Sequence, residues 1–350
     1  MSNKTVYVGM SGGVDSSLTA ALLKKQGYQV VGVYMKNWTD NIAGYECPWK
    51  EDYRDAKRVA VELDIPFKVF DFQKEYRAKV VDYMIKAYQE GITPNPDIMC
   101  NQEIKFRLFL DTALEDGADM IATGHYARIL DNTLLTAKDK LKDQTYFLYR
   151  MPKAALSKTI MPIGEFLKSE VRKMAKELNL YTADKKDSQG ICFVGKVGIK
   201  DFLINELGPQ PHGLILDEHN KEIGTHDGAI YYTIGQRHGL NIGGGLPYYV
   251  IKKDLTKNIL YVTKNLDSSK LWANKLIVVN PNWLVDLKAL PSSNIKVRTR
   301  YRAPLESAKL TINTDQSITV KLNNQIKAMT SGQSAVFYHQ DVCLGGGIIV

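Results

Sequence analysis

The fold of this chain is decided by the stretch Ser11-Gly12-Gly13-Val14-Asp15-Ser16-Ser17. Residues 6–10 before it form a short apolar run with β-branched and aromatic side chains, which predicts a buried strand. Residues 18–25 after it place their apolar side chains at helical spacing. The two glycines let backbone N–H groups approach a ligand closely, and Ser16 or Ser17 stands where a helix N-cap is favoured. A strand, a glycine turn and a helix N-terminus together predict a cradle for an anion.

The residue types of this loop indicate which anion it would hold. A Walker loop needs a lysine that is absent here, and the two adjacent glycines do not fit the dinucleotide fingerprint. An aspartate inside a phosphate cradle repels phosphate unless Mg²⁺ bridges them, so Asp15 indicates a nucleotide–metal complex. The stretch resembles the pyrophosphatase loop of enzymes that cleave ATP between its α and β phosphates. An ordinary glycine-rich turn between a strand and a helix is the alternative.

Length and composition describe a globular protein. The chain has 350 residues, enough for two to three domains, with 44% hydrophobic and 24% charged residues. No run approaches the ~20 apolar residues of a membrane span, and no signal peptide is evident, so we expect no membrane partner and a cytoplasmic location. The four cysteines form no Cys-x-x-Cys pair, so we predict neither a metal site nor a disulfide scaffold. A net charge of +8 favours a polyanionic partner.

Apolar strands and helical patterns alternate through the first part of the chain. Further buried strands are expected at residues 30–35 and 67–72, and residues 118–125 are expected to form a strand that runs into a loop. This alternation predicts an α/β fold with a Rossmann-like parallel sheet covered on both faces. Ligands of such sheets sit at the carboxyl ends of the strands, where Ser11, Met35 and Gly124 would converge.

The later part of the chain changes character. We expect an adenylation domain over residues 1–200, a small connecting domain over residues 201–272 and a C-terminal β-barrel over residues 273–350. Residues 296–302 alternate basic and non-basic side chains, which predicts a strand with four cations on one face. A solvated charged face is one interpretation. A surface that contacts phosphates is the other, and it is favoured because residues 287–305 contain no acid.

The second informative stretch is Thr93-Pro94-Asn95-Pro96-Asp97-Ile98-Met99-Cys100-Asn101. Its prolines predict an extended or turning loop that ends at Cys100, just ahead of a helix. A helix N-terminus would lower the pKa of the thiol, and Asp97 could donate or accept a proton beside it. A buried, inert cysteine is the alternative. A glycine-flanked polar loop carries Cys192, and mobility of that loop would let its thiol visit a site shared with Cys100.

Several motifs occur together in one order. They are the loop at residues 11–17, Asn95-Pro96-Asp97 with Cys100, Gly124-His125-Tyr126, Lys142-Asp143-Gln144, Gly190-Ile191-Cys192-Phe193, Gly235-Gln236-Arg237 and Arg300-Tyr301. By these motifs the chain resembles the tRNA-specific 2-thiouridylases over nearly its whole length. Each motif is modest alone, and their joint order is specific.

The resemblance implies an enzyme, a tRNA-uridine 2-sulfurtransferase. It implies that ATP with Mg²⁺ adenylates the C2 oxygen of the wobble uridine in tRNAs of the Lys, Glu and Gln type. Sulfur from a cysteine persulfide then replaces that oxygen, and AMP and pyrophosphate are released. The persulfide cysteine corresponds to Cys192, the second catalytic cysteine to Cys100, and the acid/base to Asp97. The sulfur either attacks C2 directly or is freed as sulfide when Cys100 attacks the persulfide, which leaves a Cys100–Cys192 disulfide.

The resemblance also implies binding residues and partners. The residues expected at ATP are Gly9, Met10, Ser11, Gly12, Gly13, Val14, Asp15, Ser16, Met35 and Gly124. The residues expected at the tRNA are Asn95, Pro96, Asp97, His125, Lys142, Asp143, Gln144, Arg300, Tyr301 and Gln333. The partners would be the anticodon region of tRNA and a sulfur-donor protein, either a cysteine desulfurase or a sulfur-relay protein.

Two other functions remain open on the sequence. An amide-forming ATP pyrophosphatase of the GMP synthetase or argininosuccinate synthetase kind would share the loop, but it needs neither paired cysteines nor a basic barrel strand. A non-catalytic protein that binds tRNA or nucleotide would keep its cysteines in the core. Measuring AMP and pyrophosphate with and without tRNA distinguishes the three functions.

Overall fold

A computed structural model describes residues 4–42, 44–187, 197–240, 242–243, 245–290, 293–327 and 329–350. The strands are β1 (Thr5–Gly9), β2 (Gln29–Lys36), β3 (Phe67–Asp71), β4 (Met120–Thr123), β5 (Ala127–Leu130), β6 (Thr133–Thr136), β7 (Thr159–Ile160), β8 (Gly213–Leu216), β9 (Glu222–His226), β10 (Tyr249–Asp254), β11 (Ile259–Thr263), β12 (Trp272–Trp283), β13 (Ile295–Arg298), β14 (Glu306–Ile312), β15 (Ile318–Lys327), β16 (Ser334–His339) and β17 (Val342–Ile349).

The α-helices are α1 (Val14–Lys25), α2 (Trp49–Glu62), α3 (Gln73–Tyr76), α4 (Asp82–Gln89), α5 (Pro96–Met99), α6 (Phe109–Glu115), α7 (Thr145–Leu148), α8 (Lys153–Leu156), α9 (Lys168–Glu177) and α10 (Ile199–Leu207). Two π-helical stretches, Arg77–Val81 and Cys100–Leu108, continue the α-helices on either side of them. Short 3₁₀ turns lie at Pro162–Glu165, Ala229–Tyr231, Ser269–Leu271 and Leu287–Ala289. Within the described ranges, no helix is long and apolar enough to cross a membrane.

The first sheet is parallel throughout, with the strand order β3-β2-β1-β4-β7. Val6 and Val8 of β1 pack into a cluster with α1, α2 and α9, whereas Tyr7 packs on the opposite face with α4 and α6. The strand order reverses between β1 and β4, and such a switch point opens a crevice at the carboxyl ends of the strands. The predicted Rossmann-like sheet, covered on both faces, is confirmed.

Two further sheets follow along the chain. The second has the order β10-β11-β8-β9. In the third, the order β12-β15-β14-β13-β16-β17 is closed by pairing of β12 with β17, which confirms the C-terminal barrel. The hairpin β5–β6, from the first part of the chain, joins the barrel sheet through the pair Leu135 and Val342. Local sequence patterns do not reveal that this hairpin joins the barrel, because its partner strand lies about 200 residues away.

The predicted basic strand over residues 296–302 is shorter than expected. β13 ends at Arg298, and residues 299–302 bend and turn, with Arg302 at φ 63°. The antiparallel register pairs Val297 with Glu306, so the chain must reverse direction between them. The expected single face of four cations is therefore wrong.

Candidate nucleotide and sulfur-transfer site

The loop between β1 and α1 forms the anion cradle, but its helix starts earlier than predicted. The N-cap residue is Gly13, so the prediction of an N-cap at Ser16 or Ser17 is wrong. The hydroxyls of Ser16 and Ser17 instead donate to the carbonyl oxygen of Gly13, at 3.1 and 2.9 Å. Gly13 makes no side-chain cap. The first-turn N–H groups of a helix lack intrahelical partners, so they suit an anion placed at the loop.

Two glycines allow the close approaches that shape the cradle. Gly12 has φ +74°, and a Cβ there would lie 2.4 Å from the carbonyl oxygen of Asp52. A Cβ on Gly124, just after β4, would lie 2.7 Å from the backbone nitrogen of Ser16. The switch-point crevice therefore brings the ends of β1 and β4 together, as the sequence predicted for the loop and Gly124.

Met35 reaches the same crevice from β2. A Cβ on Gly9 would lie 2.9 Å from the terminal methyl carbon of Met35, so this side chain covers the end of β1. Met10 is buried, whereas Ser11 is exposed at the mouth of the loop. The structure thus places Gly9, Met35 and the loop together, and their binding of ATP stays a prediction.

The carboxylate of Asp15 has cationic and phenolic partners. The hydroxyl of Tyr126 donates to it at 2.9 Å, and the ammonium of Lys168 donates to both its oxygens, at 2.7 and 2.9 Å. Burial, followed by the Asp15 carboxylate, raises the pKa of Tyr126 far above its ordinary value, so the phenol stays protonated and donates. The sequence gives no local signal for Lys168, because 153 residues separate it from Asp15 and no motif marks it.

A second carboxylate, Asp187, continues this network. It accepts from Lys168 and Lys142 at 2.8 Å each and from Arg172 at 2.7 Å. Burial alone would raise the pKa of Asp187, but the ammonium groups of Lys142 and Lys168 outweigh it and lower the pKa to about 2. We call Lys142, Lys168 and Arg172, with Asp15 and Asp187, the loop cluster. Lys142 was expected at the tRNA, and the structure places it in this cluster.

Cys100 lies inside a helix and not at the end of a loop. Asn95 caps the helix by accepting from the N–H of Ile98 at 3.3 Å, and Pro96 occupies the first turn, where its missing N–H costs nothing. The helix therefore begins at Pro96, and the prediction of a loop that runs to Cys100 is wrong. Cys100 opens the π-helical stretch and is only 5% exposed. Asp97 precedes it by three residues, which places both side chains on one side of the helix.

A buried polar group adjoins this helix. Burial raises the pKa of Asp97, and the nearby Lys105 ammonium opposes that rise in part. The His125 ring contacts Thr123 Oγ1 through Nδ1 at 2.8 Å and Lys105 Nζ through Nε2 at 3.4 Å. Burial, then Lys105, lowers the pKa of His125 well below its ordinary value, so the ring is neutral. Asp97 and His125 therefore share Lys105 as a neighbour.

Asp143 and Gln144, expected at the tRNA, hold the fold together. The Asp143 carboxylate is buried and accepts from the backbone N–H of Ala137 at 3.0 Å and from Arg298 at 3.1 Å. The side-chain carbonyl of Gln144 accepts from the backbone N–H of Tyr126 at 2.8 Å. The Asp143–Arg298 pair joins the first part of the chain to the barrel.

Gln333 lies against the segment that leads into the Cys100 helix. Its side-chain amide donates to the carbonyl oxygens of Thr93 and Pro94, at 2.9 and 3.4 Å. The N–H of Thr93 in turn donates to the carbonyl of Ser331 at 3.1 Å. A barrel loop thus braces the start of this helix. Gln333 and Asn95, which the resemblance assigns to one ligand, are brought close together.

Arg300 and Tyr301 lie in the turn after β13. The Arg300 guanidinium donates to the hydroxyl of Thr330 at 2.7 Å and to the carbonyl of Ile234 at 3.4 Å, and burial lowers its pKa. The Tyr301 ring lies 4.5 Å from that of Phe147, between centroids. Arg300 therefore links the barrel to the middle of the chain.

Cys192 and the rest of Gly190-Ile191-Cys192-Phe193 lie outside the described residues. The predicted meeting of Cys100 and Cys192 therefore stays a prediction. Asp187, in the loop cluster, is the last described residue before this motif.

A parallel sheet with a switch point, a glycine turn and an acidic first helical turn is the architecture of a Rossmann-like domain. Residues 4–196 match the family described as tRNA methyl transferase HUP domain. Residues 200–264 match the tRNA methyl transferase PRC-barrel domain, and residues 273–349 match the Aminomethyltransferase beta-barrel domain.

Whole-chain relatives give the family. The chain is 47% identical over 351 residues, 98% of this chain and 94% of the relative, to tRNA-specific 2-thiouridylase MnmA of Oceanobacillus iheyensis. It is 48% identical over 363 residues, 100% of this chain and 96% of the relative, to tRNA-specific 2-thiouridylase MnmA 1 of Geobacillus kaustophilus. A solved 4-thiouridine synthetase–RNA complex with bound ATP is 21% identical, with a TM-score of 0.39 over 53% of this chain and 43% of that chain.

The chain belongs to the tRNA-specific 2-thiouridylase family. The resemblance seen in the sequence and the expected enzyme class, a tRNA-uridine 2-sulfurtransferase, are confirmed. The amide-forming and non-catalytic alternatives are set aside by the same matches.

Proposed function

We propose that this enzyme replaces the C2 oxygen of the wobble uridine of tRNA by sulfur, in tRNAs of the Lys, Glu and Gln type. One observation carries the proposal beyond family membership. Gly124 packs on the backbone of Asp15 and Ser16, while the adjacent His125 contacts Lys105 in the Cys100 helix. Two neighbouring residues thus join the loop at residues 11–17 to the helix that bears Asp97 and Cys100, which supports adjoining sites for activation and sulfur transfer.

The first step is adenylation of the uridine. We assign ATP to the cradle of residues 9–16, with Met35 and Gly124 beside it. The uridine C2 oxygen attacks the α-phosphorus, and pyrophosphate leaves. Mg²⁺ is held in proteins by one or two carboxylates together with substrate phosphates, and Asp15 fits that role at the edge of the cradle. The metal would neutralise charge on the departing pyrophosphate.

Asp97 is proposed as the proton donor and acceptor at the target base. Burial raises its pKa, which brings the carboxyl group closer to the pKa of an acid/base that works near neutral pH. The tRNA must present the uridine out of its stack to reach this position.

Sulfur is proposed to arrive as a persulfide on Cys192, from a cysteine desulfurase or a sulfur-relay protein. Either its terminal sulfur attacks C2 and expels AMP, or Cys100 attacks the persulfide and frees sulfide that does so. In the direct route the base stays joined to Cys192 through both sulfur atoms until Cys100 attacks the Cys192 sulfur, breaks that S–S bond and releases the thiolated uridine. Both routes then end with a Cys100–Cys192 disulfide, which an external thiol must reduce before the next turnover. Dividing one difficult substitution into activation and attack is the general logic of covalent catalysis.

The tRNA is proposed to lie across the junction of the three sheet-bearing regions, which we keep as domains 1–200, 201–272 and 273–350. Gln333 of the barrel donates to the carbonyls of Thr93 and Pro94, just ahead of Asn95, and Arg300 donates to Thr330 and to the carbonyl of Ile234. Asp143 is buried, so it would act on the tRNA by fixing its neighbours Lys142 and Gln144.

The test is reconstitution with purified enzyme, Mg²⁺, ATP, unmodified tRNA and a persulfide-charged donor. We expect AMP, pyrophosphate and 2-thiouridine to form in equal amounts, with nucleoside mass spectrometry locating the sulfur at the wobble position. AMP formation without tRNA, or sulfur at another nucleoside, would contradict the proposal.

A further inference from the structure

The pyrophosphatase loop lacks the lysine that a Walker loop supplies, and it carries an acid of its own. Asp15 lies in the first turn of α1, beside the N–H groups that face an anion. The phosphates of a nucleoside triphosphate placed there would lie close to this carboxylate, and like charges at short range repel. Asp15 would hold one Mg²⁺ that relieves this repulsion, and the remaining phosphate oxygens would still need cationic partners.

The fold supplies cations from elsewhere in the chain. The loop cluster holds three cationic side chains against two carboxylates, so its formal charge without nucleotide is positive. Lys168 is its centre, because its ammonium contacts both Asp15 and Asp187. Its side chain is only 14% exposed, and the backbone N–H of Lys168 is fixed by Asp139 at 2.9 Å. Lys168 is therefore held in place at the loop.

We propose that Lys168 is the pyrophosphate-binding cation of this nucleotide site, in place of the missing loop lysine. The proposal rests on the proposed function, because it assumes that ATP occupies the cradle. Before nucleotide binds, Lys168 neutralises Asp15. With a Mg²⁺–nucleotide complex in the cradle, Asp15 would hold the metal, and the Lys168 ammonium would then donate to the phosphate oxygens.

Asp187 keeps the ammonium at the loop during this exchange. It contacts Lys168 at 2.8 Å and is itself held by Arg172 at 2.7 Å. Lys168 would therefore retain one carboxylate partner if Asp15 held the metal. An ammonium has three N–H donors, so a bond to Asp187 leaves two for phosphate oxygens.

The test measures binding by calorimetry, with Mg²⁺ present, for three probes: ATP, inorganic pyrophosphate and AMP. AMP keeps the adenine, the ribose and the α-phosphate, but it has no β and γ phosphates. We expect Lys168→Met to lower the affinity for ATP and for pyrophosphate about 10- to 100-fold, because one charge-assisted hydrogen bond contributes about that much to binding. AMP binding should stay within about twofold, because no charge-assisted bond to it is removed. Lys168→Arg should restore most of the pyrophosphate affinity.

Lys173→Met is the matched control, since it removes a lysine from the same helix whose side chain is 78% exposed and paired with Glu177 at 3.8 Å. It should bind all three probes like the wild type. Equal losses for AMP and pyrophosphate in Lys168→Met would show a structural role and overturn the proposal. Unchanged pyrophosphate binding would overturn it too, while wild-type adenylation of tRNA would leave the proposed function standing. If the wild type bound neither ATP nor pyrophosphate, both would fail.

Discussion

Substitution of Gly124 by alanine should displace the nucleotide loop and leave the rest of the fold in place. The added Cβ would stand 2.7 Å from the backbone nitrogen of Ser16 and 2.8 Å from the carbonyl carbon of Asp15. An ordinary contact begins at 3.4 Å, so the two backbones must separate by about 0.7 Å. Neither neighbour is a flexible side chain, so the start of α1 itself has to move.

The size of the effect follows from this displacement. Overpacking against backbone costs about 1–3 kcal/mol, which corresponds to a melting temperature lower by roughly 2–12 °C. Moving the first-turn donors by that distance should weaken Mg²⁺–ATP binding by on the order of tenfold or more. Both quantities are measurable, by calorimetry with ATP and by thermal unfolding.

The control for Gly124→Ala is Gly243→Ala, because a Cβ at Gly243 meets nothing within 4 Å and its φ is not in the left-handed region. This variant should match the wild type in both assays. If Gly124→Ala also matched the wild type, the close approach of Gly124 to Asp15 and Ser16 would not shape the cradle, and this description of the nucleotide site would be wrong.

The other predictions concern the thiols, the acid and the barrel contact. Cys100→Ser should still accept one sulfur on Cys192 from a charged donor, as intact mass would show, but form no 2-thiouridine; normal yield would end the paired-cysteine mechanism. For Asp97, the raised folded pKa gives a stability contribution that is present at acid pH and lost as pH rises through that pKa. Urea unfolding should therefore show that Asp97→Asn is more stable than the wild type at pH 7 but not near pH 3, and the variant should lose thiolation. An equal gain in stability at the two pH values would contradict the raised pKa of Asp97. Arg298→Met leaves the buried Asp143 carboxylate without its cation, so it should cost about 3–5 kcal/mol in urea unfolding, and a loss below about 1 kcal/mol would contradict the role of this pair.

Local sequence patterns predicted the secondary structure correctly where adjacent residues decide it. The strand, glycine turn and helix around residues 11–17 were predictable, because periodicity and glycine act over a few residues. The helix start was misplaced at the loop, since Gly13 serves as N-cap ahead of the serines. The same error occurred before Cys100. The two prolines predicted a loop up to Cys100, but a helix begins at Pro96 with Asn95 as its N-cap. Both errors concern element boundaries, where several residues compete to begin the helix.

The sequence by itself determined the class of nucleotide loop, the parallel sheet, the C-terminal barrel and, through the joint order of its motifs, the family. The tertiary structure decided which side chains serve the loop. Lys168 meets Asp15 across 153 residues of chain, and β5–β6 joins a barrel strand about 200 residues away. Arg298 and Arg300 turn inward to partners that no local pattern reveals. The physical reason is that a charge's partner is set by packing of distant elements, whereas strand and helix preferences are set by adjacent residues.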